Sequence, residues 1–301
     1  MRFSSGVKKG RINTTIKLFA DTASNLPVAL NKKYDVNIIE LSYTVDGVPA
    51  EYDLEHDFDG KAFYDAMRNG AEMKTSMANS ELFRERFEEV VKNGDEIVYI
   101  GLSGGVSGTV RAAEMAAEEI REEYPEAKIA VINSLGAGLG IGMQVVAMGE
   151  LIAEGKTFDE VVSITEERKN HMCQFFTVDD LTYLKKGGRI SGATAAIGTL
   201  LNIKPLLRGD EEGHIVSWGK CRGINKCILE IVKKYDELVL DKSADVMMIH
   251  GDNMDAIDFM TEKLREHGFT GNTTVMPFEP VCGCHVGPGS VALFFWGERK
   301  L

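Results

Sequence analysis

The chain has no surplus of basic residues: 34 Lys and Arg stand against 46 Asp and Glu, for a formal net charge of -12. Sequence-independent attraction to phosphate backbones needs a basic surface, so this balance argues against nucleic-acid binding. No apolar run approaches the roughly 18 residues needed to cross a bilayer. The first fifteen residues, MRFSSGVKKGRINTT, are basic and polar, with no apolar stretch behind them to make a secretory signal, and read as a loose tail. Cysteine is scarce: five in 301 residues, an odd number too thinly spread for a disulfide framework, which points to the cytoplasm. Cys282, Cys284 and His285 do cluster. However, C-x-C-H is not a familiar zinc spacing and no second cysteine pair completes four ligands, so no metal is expected.

What is present is a globular balance, 44% apolar and 27% charged residues, on a chain long enough for two domains and a core that can enclose a ligand. From residue 16 to about 167, β-branched runs alternate with amphipathic segments: IKLFA (16–20), VNIIELSYTV (36–45), EIVYIGL (96–102) and KIAVINS (128–134). That alternation predicts βαβ units around a parallel sheet, a three-layer α/β domain. From about 168 to 301 the spacing changes. CQFFTV, HIVSWGKC, DVMMIHG, NTTVMPF and VALFFWG are strand candidates among helices, predicting a second, α+β domain with a mixed sheet. KTFDEVVSITEERKNHM reads as the helix joining the two.

Ligands of open α/β sheets bind outside the carboxyl ends of the strands, which directs attention to the turns there. LSGGVSGT (102–109) leaves a strand and enters a helix near Thr109. Gly105 and Gly108 let backbone amides approach a ligand, and Ser107 can donate a hydroxyl to an anion. The plainer assignment is that Ser107 or Thr109 caps the helix and the glycines make the turn. Thr75 and Ser76 read as loop hydroxyls before a helix starting near Asn79 or Ser80. Asp21, at the end of the first strand, is a candidate acid or base, or a turn and capping residue. HVGPG (285–289) places His285 in a glycine–proline loop, where it could bond a carboxylate or simply pack. In KKGGRIS (185–191), Gly187 and Gly188 break a helix and leave Arg189 on a short, exposed loop, able to bind phosphate or a partner carboxylate.

These pieces occur in an order that resembles the DegV family of bacterial fatty-acid-binding proteins. D-T-x-x-N-L-P (21–27), Thr75-Ser76, GVSGT (105–109), YLKKGGRIS (183–191), IKPLL (203–207), Gly213-His214-Ile215 and HVGPGS (285–290) carry the likeness, which spans about residues 16 to 297. Thr22 and Asn25 depart from the family's usual Ser and Asp, Met77-Ala78-Asn79-Ser80 from its Q-P-S-P, and Gly104 from a frequent second serine. The resemblance implies two α/β domains around a long tunnel that buries the acyl chain of a long-chain fatty acid. It implies that Thr75 and Ser107 contact the carboxylate, with Ser76, Gly105, Gly108 and Thr109 beside them and His285 near the head group. It links Arg189 to the acyl phosphate and to docking on a fatty acid kinase. The kinase would perform the reaction, so the chain itself is expected to be a carrier rather than an enzyme. Its ligand would be the fatty acid, with no cofactor, and a carrier of this kind can touch a membrane transiently. Burial of an acyl chain is worth roughly 0.8 kcal/mol per methylene, but its carboxylate needs fixed donors.

A serine hydrolase is the competing assignment. Gly101-Leu102-Ser103-Gly104-Gly105 satisfies G-x-S-x-G after a strand, with Asp252 and His285 following in triad order. Against it, a nucleophile elbow starts its helix directly after the serine, whereas Gly104, Gly105 and Gly108 postpone the helix here.

Overall fold

The computed structural model describes residues 14–190 and 202–298. Residues 1–13 of the basic tail, and the segment 191–201 with Ser191 of the GGRIS stretch, lie outside the described residues. The first half runs β1 (Ile16–Asp21), α1 (Val28–Lys33), β2 (Asn37–Ile39), β3 (Ser42–Val45), β4 (Val48–Ala50), α2 (Gly60–Arg68), β5 (Met73–Ser76), α3 (Ser80–Lys92), β6 (Glu96–Gly101), α4 (Thr109–Glu123), β7 (Ile129–Asn133), α5 (Leu139–Ala153) and α6 (Phe158–Arg168). The second runs β8 (Met172–Thr177), α7 (Thr182–Lys186), β9 (Ile203–Gly209), β10 (Ile215–Arg222), α8 (Ile224–Leu238), β11 (Val246–His250), α9 (Met254–Glu266), β12 (Thr273–Pro277), α10 (Pro280–Val286) and β13 (Val291–Trp296).

Four strands form a wholly parallel sheet in the order β2-β1-β6-β7. Such a sheet is covered on both faces, which is why IKLFAD and EIVYIG are near-continuous apolar runs buried over most of their length. The packed pair α3 and α4 lies against β6, as does the pair α5 and α6. Thr15 is not loose: its N–H and hydroxyl both donate to Asp95 Oδ1, at 2.9 and 2.8 Å, and its carbonyl accepts the Glu96 N–H, which leads β1 in beside β6.

The second sheet is mixed, β10-β9-β8-β13-β11-β12, with only β11 and β12 parallel. Its two faces meet different cores. Ala292 and Phe294 of β13 join the core shared with the parallel sheet, while Val291, Leu293 and Phe295 join a second core with residues of α8 and α9. The mostly buried α5 packs against β1 and β6 of one sheet and β8, β11 and β13 of the other. Among the described residues no helix is long and apolar enough to cross a membrane.

Three sequence expectations are corrected, and one strand is added. VNIIELSYTV is two strands in different sheets. β2 joins the parallel sheet and β3 joins an antiparallel β4-β3-β5 sheet, with the break at buried Leu41, whose N–H donates to Thr22 Oγ1 at 3.1 Å. Thr75 and Ser76 lie not in a loop but on β5, opposite Tyr43 and Ser42. IKPLLRG is a strand despite its proline. Pro205 pairs with Lys220 of β10, but β8 reaches only Leu207 and Arg208, so no ladder donor is missed on that side. Finally, the joining helix stops at Arg168 and a 3-10 turn (Lys169–His171) delivers Met172 into β8.

Candidate functional site

The carboxyl ends of the parallel strands and the inner face of the mixed sheet enclose a cavity with about 180 Å³ open to the centres of water molecules. One ordered water needs roughly 10–15 Å³ by the same measure, so this is room for a ligand. Leu102, Val106, Phe176, Phe278, Ala292 and Phe294 make much of its apolar wall, and Thr75, Ser76, Ser107, Gly108, Arg189 and His285 also line it.

The last six come from four separate parts of the chain. Thr75 Oγ1 lies 3.0 Å from His285 Nε2. His285 is not in a loop, as the glycine–proline sequence suggested, but on the last turn of α10, because the helix continues to Val286 before Gly287 (φ 76) ends it. A Cβ at Gly187 would collide with His285 Nδ1, so the bare backbone of Gly187 is what lets the end of α7 rest on the ring. Burial, and secondarily the charge of Arg189, push the His285 imidazole down to about 4. The ring is therefore neutral at physiological pH, and the positive charge among these residues belongs to Arg189.

Ser107 Oγ sits 2.8 Å from Thr109 Oγ1 and accepts the Thr109 N–H at 3.3 Å. Arg189 is half-buried in the cavity wall rather than on an exposed loop. Its Nε donates to Val106 O at 3.2 Å and its guanidinium also bonds Gly187 O. This tether spans 83 residues of sequence and draws the arginine onto the S-G-T turn.

Two of the expected ligand residues stand behind the lining. Gly105 has no side chain because a Cβ would lie 2.5 Å from the Gly213 carbonyl carbon, where the β9–β10 turn presses on it. Thr109 is fully buried beneath Ser107 and orients that hydroxyl. Asp21 is fully buried as well. It accepts the Leu102 N–H at 2.9 Å and the Tyr99 hydroxyl at 2.8 Å, joining the ends of β1 and β6 rather than capping a helix. Burial raises its carboxyl to about 6.

The hydrolase assignment does not survive this geometry. Ser103 Oγ donates to Gly213 O at 3.0 Å and accepts the Gly105 N–H at 3.1 Å. Neither His285, which faces Thr75, nor Asp252, which pairs with Arg68, stands behind it as a base. Ser103 pins the β9–β10 turn to the end of β6. Cys282 and Cys284 are buried free thiols whose ionisation is pushed up by burial, Cys284 to about 12. Among the described residues no group of three or more His, Cys, Asp or Glu is placed to hold a metal.

The sequence did not single out the wall residues. Gln174 and Phe176 on β8, and Ala292 and Phe294 on β13, share one face of the mixed sheet. Their period-two spacing was visible, but not which face would meet a cavity.

The family described as uncharacterised protein, DegV family, matches residues 15–298. A DegV domain-containing protein of Clostridium perfringens is 35% identical over 284 residues, covering 94% of this chain and 98% of that protein. A solved DegV family protein from Thermus thermophilus, described for its fatty acid binding, matches with a TM-score of 0.83 at 29% identity, over 94% of this chain and 100% of its own. DegV from Bacillus subtilis, described as a fatty acid binding protein, matches with a TM-score of 0.81 at 26% identity, over 94% of this chain and 99% of its own. With its sequence matched from residue 15 to residue 298 and its two sheets arranged as in these relatives, the chain belongs to the DegV family.

Proposed function

We propose that this chain binds one long-chain fatty acid in the cavity and presents its carboxylate to a fatty acid kinase, without catalysing a reaction itself. The observation that carries the reading is the gathering of Thr75, Ser107, His285 and Arg189 around one part of an otherwise largely apolar cavity. Thr75 and Ser107 supply hydroxyl donors, and neutral His285 holds Thr75 in place. Arg189 spends donors on Val106 and Gly187 and keeps the rest of its planar fork for an anion. The same fork suits the phosphate that a kinase would add to the carboxylate, and the half-exposed position of Arg189 leaves it within reach of a docked partner. The binding of fatty acid by the Thermus and Bacillus relatives supports the reading. Such a carrier works in the cytoplasm, where the kinase has its nucleotide, and collects its cargo by brief contact with a membrane.

Native mass spectrometry of the purified protein, followed by lipid extraction, tests the proposal. A bound fatty acid is expected, and Thr75→Ala with Ser107→Ala should each lower affinity by about 1–3 kcal/mol, as for hydrogen bonds to a charged group. Full affinity in the double variant would remove the head group from this end of the cavity.

A further inference from the structure

The cavity also presents a polar side chain on its wall, Gln174 of β8. On the face shared with β13, inward residues stand opposite one another in rows: Phe176 with Ala292, Gln174 with Phe294, and Met172 with Trp296. Successive rows are about 6.8 Å apart. The first row is nearest the end of the cavity that carries His285 and Arg189, since β13 begins just after the turn that follows His285, and β8 leads through α7 to Arg189. The first and second rows line the cavity, whereas Met172 in the third closes against Gly136 and Gly140. Gln174 therefore stands at the deepest of these rows that still faces the cavity.

The orientation of its amide is settled by a bond. Nε2 donates to Leu135 O at 2.8 Å, and a carbonyl partner requires the NH2 end there. Oε1 consequently points elsewhere, and no hydrogen bond to it is made among the described residues. Ser103, a buried hydroxyl on the same wall, has both its donor and its acceptor engaged. Once an acyl chain fills the cavity, an amide oxygen left facing it without a donor would carry an uncompensated desolvation cost that a leucine or methionine at the same place would avoid. A plain saturated chain leaves that cost in place.

We infer that the cavity is built for a fatty acid carrying a hydroxyl in the interior of its chain, with that O–H donating to Gln174 Oε1. The inference rests on the fatty-acid reading above and narrows its ligand class. It is tested by delipidating the protein and measuring competition of stearate, and of hydroxystearates with the hydroxyl at successive chain positions, against a fluorescent fatty acid. In the wild type, one positional isomer is expected to stand out above its neighbours. Gln174→Leu should lower the affinity for that isomer relative to stearate by about fivefold, the effect of one neutral hydrogen bond, while stearate binding is kept or improved. A wild-type profile with no preferred position means that water alone fills the acceptor, and overturns the inference whatever the variant does. So does an isomer-to-stearate ratio unchanged by Gln174→Leu. If stearate and every hydroxystearate fail to compete, the fatty-acid reading itself falls and the inference with it.

Discussion

Replacing His285 by glutamine should change how the protein's stability depends on pH, by an amount set by the burial of the ring. In the folded protein the imidazole titrates near 4, against an ordinary 6.5, because burial and the Arg189 charge disfavour the protonated form. A depressed histidine leaves stability intact above the unfolded value and removes it as pH falls from about 6.5 towards 4, since only the unfolded chain takes up the proton in that window. The fall from 6.5 to about 4, at 1.36 kcal/mol per pH unit, caps the loss at about 3 kcal/mol, of which about 2 kcal/mol falls between pH 7 and pH 5. Wild type alone would not reveal it. Asp21 and Glu279 are buried carboxyls with raised pKa values, and each favours the folded protein as pH falls, which opposes the histidine. Both are common to wild type and His285→Gln, so the difference between the two proteins isolates the ring. Urea unfolding of both delipidated proteins should show wild type losing about 2 kcal/mol relative to the variant between pH 7 and pH 5. A difference that stays constant over that range, or a His285 ring resonance titrating at the ordinary value, would refute the reasoning.

Arg189→Ala is expected to lower fatty-acid affinity about tenfold, the loss of one charge-assisted hydrogen bond, because the guanidinium lies in the cavity wall. It should also abolish acyl-phosphate formation with a competent kinase. Arg189→Lys should restore only part of either, keeping the charge but not the fork; unchanged affinity in the alanine variant would place Arg189 outside the head-group contacts. Ser103→Ala should cost about 1–3 kcal/mol of stability by orphaning Gly213 O and the Gly105 N–H, and should leave any slow turnover of an activated ester as it was. Ester turnover that vanishes with the Ser103 hydroxyl would reopen the hydrolase assignment.

The parallel sheet was legible because its code is local. Strands buried on both faces must be continuous apolar runs, and IKLFA, EIVYIGL and KIAVINS are such runs wherever they are met. Helix starts were equally local. Asn79 caps α3 by accepting on its Oδ1 the Leu82 N–H, only three residues away, and the glycines before Thr109 hold back α4 as their poor helix propensity requires. The segments misjudged or passed over were those whose identity depends on a partner. β5 is the polar tetrapeptide MKTS, a strand only because β3 lies beside it, and β9 keeps its proline only because β8 ends its pairing at Leu207.

Composition, the order of the motifs and the residue types of the polar site were thus determined by the sequence itself: an acidic globular α/β chain with hydroxyls, a histidine and an arginine in glycine-rich settings. That these residues form one site was decided by tertiary structure alone. Thr75 meets His285 across 210 residues, Ser103 meets Gly213 across 110, and Arg189 reaches back 83 to Val106. No periodicity encodes such contacts, because they arise where two sheets are packed around a shared helix and each strand's register chooses which alternate face turns inward. The same choice turned Gln174 towards the cavity and its neighbours Cys173 and Phe175 towards the second core. Read in isolation, either face of β8 was a candidate; only the packing of α5 between the sheets decided which one lines the cavity.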